Sequence, residues 1–393
     1  MELGTIVKNT GATGSTIVNF AGSATGTGGT GRGIEVQTQN GASTDPTLLS
    51  LQAGSIVSGA QAGALVYDKT GSATIVANGK VSSAGVALFV GGGSSGDAAI
   101  NMTGSSEVSG GTQAAFVSGT GAGLSITASS STAAALKGSF VALNGGAITT
   151  ATTSAAAGIS VSQNNAASSS AVLVEAGSVN TPDGVFVRNA GKGATTVNGS
   201  ALSGSTGNAL TVLAATGATS ASITGNVAGA VDGARLTSST GGISATFSGG
   251  LSGGDYGVAA VRAGASGTGG DVAITTGGKI GVTAGLAGIF VDQGAGTGTT
   301  TVTSNATIDS LSGTLIDGVR VRNAAGAAGV TVAGTIGGKG AVSGSAVLVD
   351  GLGSSTGLTS VTLNNASLFS TADGAADAGI RVATAGTGGV TIS

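Results

Sequence analysis

The apolar positions of this chain come in short groups that alternate with polar ones. In "DGVFVRN", Val185 and Val187 share one side of an extended segment, and Phe186 and Arg188 share the other. The runs "AGIFVDQ", "DGVRVRN" and "SAVLVDG" repeat this with Ile289 and Val291, Val319 and Val321, and Val347 and Val349. A period of two predicts strand, not helix. Aligning on glycine, apolar, any, valine puts the first apolar position at Ile34, Ala64, Val86, Ala115, Ala135, Ile159, Val185, Leu210, Ala234, Val258, Ile289, Val319, Val347 and Ile380. The mean step is about 27 residues, a repeat-protein spacing. A looser copy surrounds Ile6. Each unit carries a second strand-like group further on, such as "ATTVNG", "DVAITT" or "GVTVAG", and often a weaker third, such as "GKIGV" or "NASLFS". Glycine and asparagine mark the turns between groups.

Two or three short strands per repeat predict an all-β parallel β-helix, or β-solenoid. Each coil lies one strand spacing above the last, so like pairs with like. About 14 coils at roughly 4.8 Å each give a rod about 70 Å long. The interior is then a narrow stack of Val, Ile, Leu and Ala, and one continuous solenoid spans residues 1–393.

Composition fits such a core. The chain has 77 glycines, and only 3% of its residues are aromatic and 8% charged, too little bulk for several ordinary globular cores. Disorder is disfavoured, because 40% is hydrophobic and net charge is only −3. The missing basic run excludes a nucleic-acid partner. No apolar stretch is long enough to span a bilayer, so no membrane insertion of this segment is expected. The start "MELGTIVKNTG" has no basic segment leading into an apolar one, so a secretory signal is absent or already removed. There is no cysteine, hence no disulfide, which suits a chain exported unfolded.

The runs "DGVFVRN", "AGIFVDQ", "DGVRVRN" and "AGIRVAT", each followed by a glycine-rich turn and a "TVTV"-like strand, resemble passenger domains of bacterial autotransporters and related large surface adhesins. The resemblance covers nearly the whole chain. It implies a right-handed coil, export across the outer membrane and an extracellular, cell-surface location. The sequence departs from that pattern in lacking a signal peptide, a C-terminal translocator barrel and a polar end cap. It stops at "GGVTIS", inside a coil's second strand, so a fragment or a subunit stacking end to end is expected.

The absence of histidine removes the commonest general base and metal ligand. No enzyme activity, metal or cofactor is expected. "GGDVAIT" matches a calcium-binding repeat only once. Asp183, Asp232, Asp255, Asp317 and Asp377 occupy or approach the slot before the first strand. Asp232 and Asp255 lie on adjacent coils, as paired carboxylates for glycoside hydrolysis would; the alternative is an aspartate bonding its own backbone at a corner. Outward positions of the first strand include Glu35, Gln37, Leu65, Leu348 and the candidate binding residues Tyr67, Phe89, Phe116, Phe186, Arg188, Arg235, Phe290, Asp292, Arg320, Arg322, Asp350 and Arg381. These make either a binding stripe or side-chain pairs that stabilise neighbouring coils, with Asp292, Arg322 and Asp350 as an alternating ladder. Outward hydroxyls on the second strand (Thr196, Ser222, Thr224, Thr275, Thr301, Thr303, Thr331, Thr362, Thr391) suit ice binding or simply a solvated sheet. The leading expectation is a structural or adhesive rod. Its partners would be further copies of itself, a host or neighbouring-cell surface, or a glycan. A carbohydrate-binding or carbohydrate-active β-helix is the alternative, with ice binding third.

Overall fold

A computed structural model of the chain describes residues 4–393 apart from 42–43, 93–95, 104–105, 120–122, 129–135, 144–146, 153–156, 165, 170, 182, 265–268, 295, 313–315, 324, 352–355, 372–378 and 385. Ala135 and Asp377 therefore lie outside the described residues. The structure is an all-β parallel β-solenoid, with no helix among the described residues. It divides into two compact units, Met1–Asn180 with Val187–Lys192, and Thr181–Phe186 with Gly193–Ser393.

In the first unit the first strands Thr5–Asn9, Arg32–Thr38, Ala62–Asp68, Val86–Gly91 and Gln113–Ser118 pair in parallel, each with the same slot of the next. The second strands run from Thr16–Phe20 through Thr47–Leu51, Ala73–Ala77 and Ala98–Met102. Short third strands, among them Ser23–Gly26, Ile56–Gly59 and Lys80–Ser83, form another stack. The second unit repeats this plan. Its first strands Asp232–Ser238, Tyr256–Arg262, Ala287–Asp292, Asp317–Asn323 and Val347–Gly351 stack in register. Its third strands Val227–Gly229, Leu251–Gly253 and Ile280–Val282 do likewise.

There are about 12 turns, where spacing predicts about 14. Among the described residues, no third strand stands between the second strand Ala147–Thr152 and the first strand Ala157–Gln163. Two anchor positions also move. Leu88, not Val86, pairs with Ala64 and Ala115, and Phe140 fills the slot assigned to Ala135. A shift of two residues keeps the same face, so the first error left the inward–outward pattern intact. Pairing and register are the same for either hand of the coil, so the right-handed sense stays what the resemblance implies.

The interior is the expected aliphatic stack. Val185, Val187, Val319 and Val321 are all 0% exposed. On the second strands Leu49, Ile75, Ile100 and Ile126 form one ladder, and on the third Val227, Leu251, Ile280, Ile308 and Ile336 form another. Burying each Val, Leu or Ile contributes roughly 1.5–3 kcal/mol, the main favourable term here. The motif glycine has a packing cause: a Cβ on Gly257, Gly288 or Gly318 would strike the third-strand side chain of Ile280, Ile308 or Ile336.

The corner after the first strand is polar and buried. Asp68, Asn189, Arg262, Gln293 and Asn323 occupy it with almost no exposure. Asp68 Oδ1 accepts from the amides of Thr70 (3.1 Å) and Gly71 (2.7 Å), and Asn323 Oδ1 accepts from Ala325 (3.3 Å) and Gly326 (3.1 Å). Asp68 Oδ2 also accepts from Thr47 Oγ1 at 2.7 Å, in a chain that continues through Thr38 to Thr16. Aspartate and asparagine thus close their own turns, as expected, but after the first strand instead of before it.

Candidate binding face

Strand parity turns the predicted residues outward, and neighbouring coils then decide what each side chain meets. In the first unit Leu65, Phe89 and Phe116 lie level on successive strands, and the rings of Phe89 and Phe116 stack with centroids 5.2 Å apart. Tyr67 is 39% exposed. Beside it on the preceding strand, Gln37 Nε2 donates to Glu35 Oε1, and Glu35 Oε2 meets Arg32 Nη1 at 2.9 Å. Arg188 is exposed. In the second unit Phe186 is half-buried.

The charged part of the stripe belongs to the second unit. Asp292, Arg322 and Asp350 do lie level on consecutive strands. Arg322 Nη1 contacts Asp292 Oδ2 at 3.2 Å. Asp350, however, turns diagonally to Arg320 Nη2 at 3.9 Å, and Arg320 also reaches Asp317 Oδ2 at 3.7 Å. The ladder is therefore a pair and a separate triad. Arg235 reaches back along its own strand to Asp232 at 3.3 Å, and Arg381 is exposed. The two contacts that join neighbouring strands, Arg322–Asp292 and Arg320–Asp350, stabilise their pairs by roughly 0.2–1 kcal/mol each.

The acids before the first strand behave differently from one another. Asp183 and Asp255 are exposed, while Asp232 and Asp317 are buried. Asp317 Oδ1 accepts from the Ser345 amide of the next coil at 3.0 Å. The Asp232 backbone amide donates to Asn208 Oδ1 at 3.0 Å. Burial pushes the Asp232 carboxyl above its usual range, opposed by Arg235 and reinforced by the charge of Asp255.

Tyr256 escaped the sequence reading. It occupies the slot of Asp232 and Asp317, immediately before the motif glycine. Its ring stacks on Phe290 at 5.2 Å. Ala259, outward and level with Phe290, is buried. Burial first, then the charges of Asp232 and Asp255, raise the Tyr256 phenol above its ordinary pKa. The signal was present: one of the chain's two tyrosines stands in a slot that Asp232, Ala287 and Asp317 fill in neighbouring coils.

The second-strand hydroxyls face out as predicted. Thr275, Thr303, Thr331 and Thr362 form one unbroken column, which Thr246 extends by one coil. The neighbouring column reads Ser244, Ala273, Thr301, Gly329 and Ser360, so two threonines stand together only at Thr301 and Thr303. A single column does not make a flat two-dimensional hydroxyl array.

No protein-family model, curated protein or solved structure matches the chain.

Proposed function

We propose that the chain is a structural and adhesive β-solenoid from a secreted bacterial surface protein, acting outside the cell as a spacer, filament segment or adhesin without catalysis or cofactor. The observation that carries this reading is the outward face of the first strands. Its aromatic and charged side chains engage neighbours one coil away, as in the Phe89–Phe116 stack and the Arg322–Asp292 pair, and do not converge on a cleft. Such a surface stiffens a stack of coils and presents a long face to a partner: another copy, or a host or neighbouring-cell surface. The resemblance of the repeated runs to autotransporter passengers supports the same setting.

A glycosidase reading would rest on Asp232, whose raised pKa suits a general acid. Burial opposes it. Asp232 is 1% exposed and held by Arg235, so a glycosidic oxygen has no approach to its carboxyl. Negative-stain electron microscopy of the purified chain tests the structural reading. Elongated particles, single or bundled, are expected; compact globules would overturn it.

A further inference from the structure

Resting on the adhesive reading and deepening it, we propose that the face around Tyr67 in the first unit binds a pyranose ring of a glycan. Three observations point there.

The first is the lie of the ring. Tyr67 and Gly91 are direct partners on adjacent first strands. A Cβ on Gly91 would stand 2.7 Å from Tyr67 Cδ2 and 3.4 Å from Tyr67 Cε2. The ring therefore occupies the space that a side chain at Gly91 would fill. Gly91 is buried although its position faces outward, while Tyr67 itself remains exposed. One side of the phenol rests on the sheet and the other is left to solvent. Phe89, whose Cε1 is 3.4 Å from the same point, and Phe116 stacked on it extend the apolar floor.

The second is a fixed row of amides beside the ring. Gln37 is directly opposite Tyr67 on the preceding strand. Gln39 Nε2 donates to Gln37 Oε1, and Gln37 Nε2 donates to Glu35 Oε1. Arg32 anchors the row through Glu35 at 2.9 Å and through Gln61 Oε1 at 3.3 Å. Each amide has two N–H donors and a carbonyl oxygen, so Gln37 and Gln39 keep donors to spare. Their orientation is already set, which lowers the entropy lost on binding.

The third is charge. The carboxylate of the row, Glu35, is buried and paired with Arg32. Lys8, level with Gln37, and Lys69, just after Tyr67, stand at the margins. An open aromatic face with oriented amides, its one carboxylate paired with Arg32, suits a ligand with one apolar C–H face and a rim of hydroxyls. That is a sugar ring. Small-ligand sites have this makeup of apolar surface and few placed polar groups.

The experiment uses the full chain on a glycan array with separate neutral and uronate-bearing arms, followed by titration of the best oligosaccharide. Binding in either arm supports the site, and uronate preference assigns the carboxylate to Lys8 or Lys69. Tyr67→Ala is expected to weaken binding by about tenfold or more, equivalent to about 1.4 kcal/mol. Gly91→Ala, which pushes the ring off the sheet while keeping the phenol, should weaken it as well, and Tyr67→Phe should not. Thermal midpoints of the variants report whether they fold. An array with no bound glycan, or a folded Tyr67→Ala that binds like the parent, overturns the proposal. So does a Tyr67-dependent doubling of mass without sugar binding, which would give the face to a second copy. Elongated particles with no glycan binding would remove this inference and leave the adhesive reading standing. Tyr67-dependent glycan binding by globular particles would do the reverse.

Discussion

Asp232 shows how one residue serves the stack and strains it. Its carboxyl is buried, one oxygen meets Arg235, and the other has no hydrogen-bond partner among the described residues. Desolvation, with help from Asp255, outweighs the guanidinium, so the folded-state pKa lies above 3.8. The native state then holds this proton more tightly than the unfolded chain does. Stability from this group is present at low pH and lost as pH rises from 3.8 through the raised value. Asparagine at this site cannot titrate. The thermal midpoint of the parent minus that of Asp232→Asn should therefore fall as pH rises above 3.8. A difference that stays flat with pH would mean the carboxyl binds its proton equally in both states.

At the scale of the strand, the glycine–apolar–x–valine motif is a packing instruction. The apolar pair fills the core. The glycine leaves room for the third strand's isoleucine, as Gly318 does for Ile336. Ala87, Ala114 and Ala346 occupy the same slot in other coils, so a methyl is tolerated where the facing chain yields. Gly318→Val adds a branched side chain to a filled space, and overpacking of this kind costs about 1–3 kcal/mol. Urea unfolding should show that loss, with Gly318→Ala affected less; an unshifted midpoint for the valine variant would remove the packing account of the motif. This motif made the fold legible. Period two identified the strands, and recurrence of the motif identified their stacking. Leu88 was misplaced because "GVALFV" offers two phases of the same alternation, and only pairing with Ala64 selects one. The candidate face was legible in direction but not in contact. Parity gave Tyr67 and Arg320 their side of the sheet. No pattern along the chain says that Tyr67 lies over Gly91, or that Arg320 reaches Asp317 on its own strand and Asp350 on the next.

For the whole molecule the decisive property is that a coil touches chiefly the coils above and below. The strand registers link each strand to the same slot one repeat away, as Val291 links Val258's strand to Val321's. In such a stack, stability approximates a sum of coil and nearest-neighbour terms. A defect should therefore stay local. Val291→Asp places a carboxylate in a fully buried position with no partner in the ladder, at a cost of several kcal/mol unless it takes up a proton. Hydrogen exchange followed by mass spectrometry should show the strands Tyr256–Arg262, Ala287–Asp292 and Asp317–Asn323 losing protection first. The strand Ala62–Asp68, in the other compact unit, should exchange as in the parent. If both units lost protection together, coupling would have to run much further than adjacent coils. The chain would then fold as one cooperative body, and nearest-neighbour packing alone would not account for its stability.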